Sequence, residues 1–252
     1  MSVEERTMAP SSASAYNAVA EVYDEWTGPL PDTPATVEFL ARYAAGGPVL
    51  ELGVGTGRVA LPLAAKGLEV IGIEGADKMI DKLKLRPGGD AFPVILGDMA
   101  DVAVDRTFSL IYLVFNTFLC LLDQRDQVRC LRNAAEHLEP DGTLVTEMYV
   151  PDPRRTDADG RRLATGSVER DRVFLEATMH DTLRQRIRTQ VVIVSESGIR
   201  LYPSQIRYVW PSELDLMAQL AGLELVHRHG GWAGEPFTAK STRHVSVFRK
   251  AA

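Results

Sequence analysis

Gly53, Gly55 and Gly57 stand at alternate positions in "ELGVGTGR", with Glu51 two residues ahead and Arg58 directly behind. Glycines packed this densely at a turn let backbone approach a ligand closely and take angles other residues avoid. Downstream, Glu74 closes the apolar run "LEVIGIE", where a carboxylate can accept hydrogen bonds from a ribose diol. The pair fits a nucleotide or a nucleoside. A dinucleotide fingerprint requires glycine or alanine at position 58, but Arg58 stands there and the third glycine, Gly57, falls one place early.

These residues need strands and helices to position them. "PVLEL" reads as a strand, followed by a helix that reaches Ala65 with Pro62 inside it as an expected kink. "LEVIGIE", "FPVILGD", "FSLIYLVFN" and "LVTEMY" read as further strands, with helices through Met79, Ile80 and Leu83 and, capped by Asp123, through Val128, Leu131, Ala135 and Leu138. "EPDGT" has the chemistry of a turn. Uniformly apolar strands separated by helix-length segments predict a parallel sheet covered on both faces.

Residues 1 to about 14 read as a mobile tail, and "AYNAVAEVYDEW" as one short helix with Tyr16 and Tyr23 at its ends. Thr33 and Pro34 read as the N-cap and first turn of the helix that stops at Gly46-Gly47. After Pro151 the rhythm changes. "PDPRRTDADGRRLATG" reads as a polar loop, and "RDRVFLEATMH", "RQRIRTQVVIVSE" and "IRLYPSQIRYVW" as three alternating strands. Arg184, Arg186 and Arg188 would share one solvated strand face. A helix over Pro211–Ala221 and the strands "LELVHRH" and "RHVSVFRK" close the chain.

The glycine run with Glu51 before it resembles motif I of the class I S-adenosylmethionine-dependent methyltransferases. "GIEGADKMI", "LGDM", "LVFNTFLCL" and "LEPDGTLVTE" resemble the family's later motifs, in order, so the likeness covers roughly residues 35 to 150. It implies a Rossmann-like, doubly wound, seven-stranded α/β sheet with an antiparallel β insertion after strand five. Its divisions would be a tail and cofactor-covering helix (1–33), an S-adenosylmethionine-binding core (34–150), a substrate lid (151–210) and the closing helix and strands (211–252). Carried over by position, Glu51, Gly53, Gly55, Thr56, Gly57 and Arg58 would line the cofactor. Glu74 would meet the ribose with Gly75 beside it lining the cofactor, Met79, Asp98 and Met99 would border the adenine, and Phe115, Asn116 and Thr117 would flank the sulfonium. Tyr23, then Tyr16, would fold over the ligand. S-adenosylhomocysteine is the implied product.

Methyl transfer from a sulfonium needs alignment and exclusion of water more than acid–base help. An amine acceptor must be neutral when it attacks, whereas a hydroxyl needs a base or a metal. Candidate acceptor contacts are Glu147 and Tyr149 at the end of strand five, and His180, Tyr202, Arg207 and Tyr208 in the insertion. His229, Trp232, Phe237 and His244 follow in the tail. The histidines come without matching carboxylate spacing, so no metal is expected. The insertion resembles the lid of small-molecule N-methyltransferases, including those acting on amino sugars of antibiotics and on glycine, and implies a homodimer. The expected reaction is methylation of a small metabolite at nitrogen, with oxygen or carbon methylation, or cofactor binding without transfer, as alternatives.

Composition sets the outer bounds. At 252 residues, with 45% hydrophobic and 25% charged residues, the chain suits a soluble globule. A net charge of −6 leaves no basic excess for nucleic acid. Cys120 and Cys130 form no disulfide framework, which points to a reducing cytoplasm. The N-terminus lacks a signal-peptide layout, and the apolar run around Asn116 is too short to span a membrane.

Overall fold

Strands whose residues are apolar at consecutive positions must be covered on both faces, and the architecture follows from that. In a computed structural model describing residues 12–27 and 30–251, β1 (Val49–Leu52) and β2 (Val70–Glu74) are buried at every position. With β3 (Val94–Leu96), β4 (Phe108–Leu113) and β5 (Leu138–Tyr149) they pair in parallel, in the order β3-β2-β1-β4-β5. β11 (Arg243–Lys250) then joins β5 antiparallel, and β10 (Leu223–His229) forms the edge, completing seven strands. Alternate residues divide between two cores. Leu50, Leu52, Ile71 and Ile73 pack with α6 (Gln124–His137) and α7 (Pro211–Leu220). Val49, Val70, Leu110 and Tyr112 pack with α3 (Thr33–Ala44) and α4 (Ala60–Ala65). Between β1 and β4 the strand order reverses, which opens a crevice at the carboxyl ends.

Several local expectations change. The tail expected over residues 1 to 14 lies mostly outside the described residues, and Ser12 already begins a helix. The single N-terminal helix is two, α1 (Ser12–Val19) and α2 (Tyr23–Thr27). No breaker separates them. The bend brings the Tyr16 and Tyr23 rings edge to face, 6.0 Å apart, over Ala76 and Met79. Thr33 lies inside α3, and Asp32 is the cap residue. The Asp32 side chain makes no cap bond and pairs instead with Arg243. Pro62 causes no kink, because α4 begins at Ala60 and Pro62 falls in the first turn, whose amides have no intrahelical partner. "EPDGT" is a bulge inside β5: Phe108 faces Leu138, but Leu110 already faces Thr143. Asp123 caps α6 as expected, accepting from the Arg125 amide at 2.8 Å.

The insertion is a second, four-stranded antiparallel sheet of β6 (Arg161–Val168), β7 (Arg172–Asp181), β8 (Arg186–Ser195) and β9 (Gly198–Arg207). β6 arises from the segment expected to be loop, since its sequence "RRLATGSV" shows little apolar alternation. Arg184 lies before β8 and pairs with Asp181. Arg186 does not face solvent alone, donating to the Leu122 carbonyl at 3.0 Å.

Candidate active site

The crevice is a cavity of about 1100 Å³. Its floor is the turn after β1, where the three glycines have distinct duties. Gly53 has φ +77, and a Cβ there would lie 2.3 Å from Thr117 Cγ2. At Gly57 a Cβ would meet Leu61 and Leu83 at 3.0 to 3.1 Å. Both positions require glycine for packing. Gly55, with φ +56, has only Met79 Cε nearby, at 3.6 Å, so a side chain there would project into the cavity.

Glu74 and the glycine turn are tied together. The Gly55 amide donates to Glu74 Oε2 at 2.8 Å and the Ala76 amide to Oε1 at 2.9 Å. Each carboxylate oxygen keeps a lone pair for a ligand hydroxyl. Burial raises the Glu74 carboxyl above its usual range, and the backbone amides oppose that rise. Glu51, 3% exposed, accepts from Tyr112 OH at 2.7 Å. Burial pushes it up to about 8, against the pull of the Tyr112 hydroxyl and the Arg58 guanidinium. Arg58 donates to Thr33 Oγ1 at 3.0 Å and lies 5.3 Å from the Phe115 ring centroid. Among the described residues it makes no ion pair.

Tyr16, Tyr23, Thr56, Gly75, Met79, Asp98, Met99 and Phe115 also line the cavity. Tyr16 OH lies 3.5 Å from Cys120 Sγ. Burial is the leading cause of a raised Tyr23 hydroxyl, and the Cys120 side chain of a raised Tyr16 hydroxyl. The chain's reading missed Asp24, Arg86 and Cys120, which line the cavity as well. Thr56 Oγ1 donates to Asp24 Oδ1 at 2.6 Å, and Arg86 Nη1 donates to the Thr56 carbonyl at 3.0 Å. Asp24 could have been found beside Tyr23 in "VYDEW". Arg86 lies in a polar loop that carries no signal.

Asn116 does not line the cavity, nor do the acceptor candidates Glu147, Tyr149, His180, Tyr202, Arg207 and Tyr208. Asn116 and Phe115 form a left-handed turn after β4, at φ 64 and 56. Such backbone in non-glycine residues costs about 1–3 kcal/mol each. Phe115 donates its amide to Glu147 Oε2 at 2.6 Å, and the Tyr149 amide donates to Asn116 Oδ1 at 2.8 Å. Arg207 sits in a buried joint between the sheets, donating to Gln127 Oε1 and Glu213 Oε1, both at 2.6 Å. Buried Tyr208 packs edge-on to Trp210. His180 lies on β7, and burial lowers its pKa. Trp232 is core, against Phe39, and Phe237 stands beside His244, which bonds Ser246 Oγ at 2.8 Å. His229 flanks a smaller pocket with Phe39 and Tyr43.

A parallel sheet with a glycine turn, an acid ending its second strand and an antiparallel β11 makes a site for a nucleoside at the switch point of the sheet. The Methyltransferase domain family matches residues 49–142. The chain is 43% identical to the CcbJ methyltransferase of Streptomyces caelestis, covering 96% of this chain and 100% of that one, with a TM-score of 0.91. It is 28% identical over 243 residues to the cypemycin N-terminal methyltransferase of a Streptomyces species, covering 95% of this chain and 99% of that protein. The fold is also shared with CalS10, an amino pentose methyltransferase from Micromonospora echinaspora, at 19% identity and a TM-score of 0.69, covering 92% and 97% of the two chains. The chain belongs to the S-adenosylmethionine-dependent methyltransferases, and S-adenosylmethionine is its methyl donor.

Proposed function

We propose that this enzyme methylates a nitrogen atom of a small secondary-metabolite intermediate. One observation carries the choice of nitrogen: the likeness to a methyltransferase that acts at an N-terminus covers 95% of this chain. An amine that reaches the site neutral needs no base.

The cofactor, when bound, supplies a methyl group on a good leaving group. The chain's own residues hold and align it. Glu74 accepts from the ribose hydroxyls, and Asp98 and Met99 border the adenine. Glu51 would hold the amino-acid ammonium, and Arg58 the carboxylate. The opening at Gly55 fits this ligand, since only there does the glycine turn leave side-chain space free. Tyr16 and Tyr23 on the covering helices exclude water. Residues 151–210 act as a lid that reaches the site through α1 and α2, as the ion pair between Arg172 and Glu25 suggests. The free thiols Cys120 and Cys130 fit a cytoplasmic enzyme, and among the described residues no helix is long and apolar enough to cross a membrane.

The outer face of the second sheet exposes Leu163, Val168, Ile199 and Leu201. A second copy can cover such a face in a two-fold arrangement. Leu201→Glu should then turn a dimer into a monomer by sedimentation, and an unchanged mass would remove this interface.

Calorimetric titration with S-adenosylhomocysteine, with NAD as control, tests the cofactor site. Binding of the first alone, followed by transfer to amine but not hydroxyl metabolites, is the expected result. Transfer confined to hydroxyl acceptors would overturn the assignment to nitrogen.

A further inference from the structure

We propose that Glu147 is a positioning residue whose buried carboxylate holds the Phe115–Asn116 turn and, through it, the aromatic wall of the methyl-donor site. The inference rests on reading the cavity as that site.

Two successive left-handed residues, one of them aromatic, do not stay so unaided. Their restraint comes from β5. Glu147 takes the Phe115 amide on Oε2 at 2.6 Å, and its own carbonyl takes the Asn116 amide at 3.3 Å. Two residues on, the Tyr149 amide fixes the Asn116 side chain. The consequence is that Phe115, 39% exposed, lines the cavity under Arg58, while Glu147, 7% exposed, does not.

The second carboxylate oxygen also has a protein partner. Glu147 Oε1 lies 3.9 Å from Arg243, which itself pairs with Asp32 at the start of α3. Burial raises the carboxyl, and the Phe115 amide and Arg243 hold it back. Glu147 thus spends both oxygens on protein groups, one of them on a turn that relaxes without it. That separates it from a general base, which must reach the proton it takes.

The test uses the full chain labelled with 15N-phenylalanine, the Phe115 amide being assigned by its loss in Phe115→Leu. A short bond to a carboxylate should give a strongly downfield, slowly exchanging amide in the ligand-free protein. Glu147→Gln offers a carbonyl oxygen in the same place and should keep it protected. Glu147→Ala should speed its exchange at least about tenfold. In the second arm, the methyl resonance of bound [methyl-13C]S-adenosylmethionine should be unchanged in Glu147→Gln and shifted in Glu147→Ala. Leu144→Ala, on the same strand but inside the core, should leave it in place. If Glu147→Ala does not fold, Glu147→Ala/Asn116→Gly keeps the comparison, because glycine accepts the left-handed angle.

An unmoved Phe115 amide in Glu147→Ala would overturn the proposal. So would a bound methyl resonance that stays in place in Glu147→Ala, since the turn would then not reach the methyl-donor site. A wild type that binds no cofactor would instead sink the reading of the cavity, while the amide arm still decides whether Glu147 holds the turn.

Discussion

The two sheets of this molecule solve opposite problems. The seven-stranded sheet buries both faces and keeps its carboxyl ends for chemistry, with glycines, Glu51 and Glu74 all turned to one cavity. The four-stranded sheet is half-buried or exposed at most positions and contributes no residue to that cavity among those described. Its polar residues serve attachment. Arg207, 7% exposed in its side chain, meets Glu213 at 17%, and Gln185 bonds both. The difference teaches that an insertion rich in polar and aromatic side chains need not be an active-site wall. Here a buried polar cluster fastens it to α6 and α7.

That contrast can be broken most forcefully at the joint. Arg207→Ala leaves Glu213 and Gln127 without their cation in a buried setting and should cost about 3–5 kcal/mol. Thermal melting should fall steeply, while removing the exposed pair Arg154–Asp152 should leave the melting temperature nearly unchanged. Equal effects would mean that the joint is not what fastens the second sheet.

The next effect belongs to the glycine turn. Gly55→Asn, whose residue type tolerates the left-handed angle, should weaken S-adenosylhomocysteine binding at least about a hundredfold, roughly 2.7 kcal/mol, and leave the circular dichroism spectrum intact. Gly53→Val, by contrast, should unfold the protein, because its side chain meets Thr117. Reversed outcomes would exchange the packing and ligand-facing roles of the two positions.

Glu74→Ala should weaken the same ligand about tenfold or more, some 1.4 kcal/mol per decade. Unchanged affinity by calorimetry would remove the ribose assignment.

The last effect concerns pH. Glu51 titrates near 4.5 when free and about 8 in the fold, so the folded state binds more protons between those values. Its contribution to stability is complete below the lower value and is lost as pH rises through the upper one. A ligand ammonium beside it favours the ionised form, so affinity for S-adenosylhomocysteine should rise over the same window. Glu51→Gln should flatten both profiles. A melting curve whose pH dependence survives that change would assign it to other groups.

Much of the cofactor region was legible because its signals are local. A turn that must take positive φ demands glycine in the chain itself, and a strand covered on both faces must be apolar throughout. So the five parallel strands, Asp123 as a cap, and Glu74 at the end of β2 could be read directly. β6 was not, because an exposed strand of charged and small residues differs little from a loop. Pro62 was misjudged for want of one boundary: a proline is costly inside a helix and harmless in its first turn.

What the sequence by itself determined is the kind of sheet, the place where it turns around a ligand, and the family of donor it serves. Those depend on residue types at short spacings. Only the tertiary structure decided what Glu147 and Arg207 face, that Tyr16 and Tyr23 meet across a bend, and that Gly53 packs while Gly55 opens. Those depend on partners far along the chain: Phe115 lies 32 residues before Glu147, and Gln127 lies 80 before Arg207. Strand order and the folding of an insertion bring them within reach, and no local pattern encodes such a meeting.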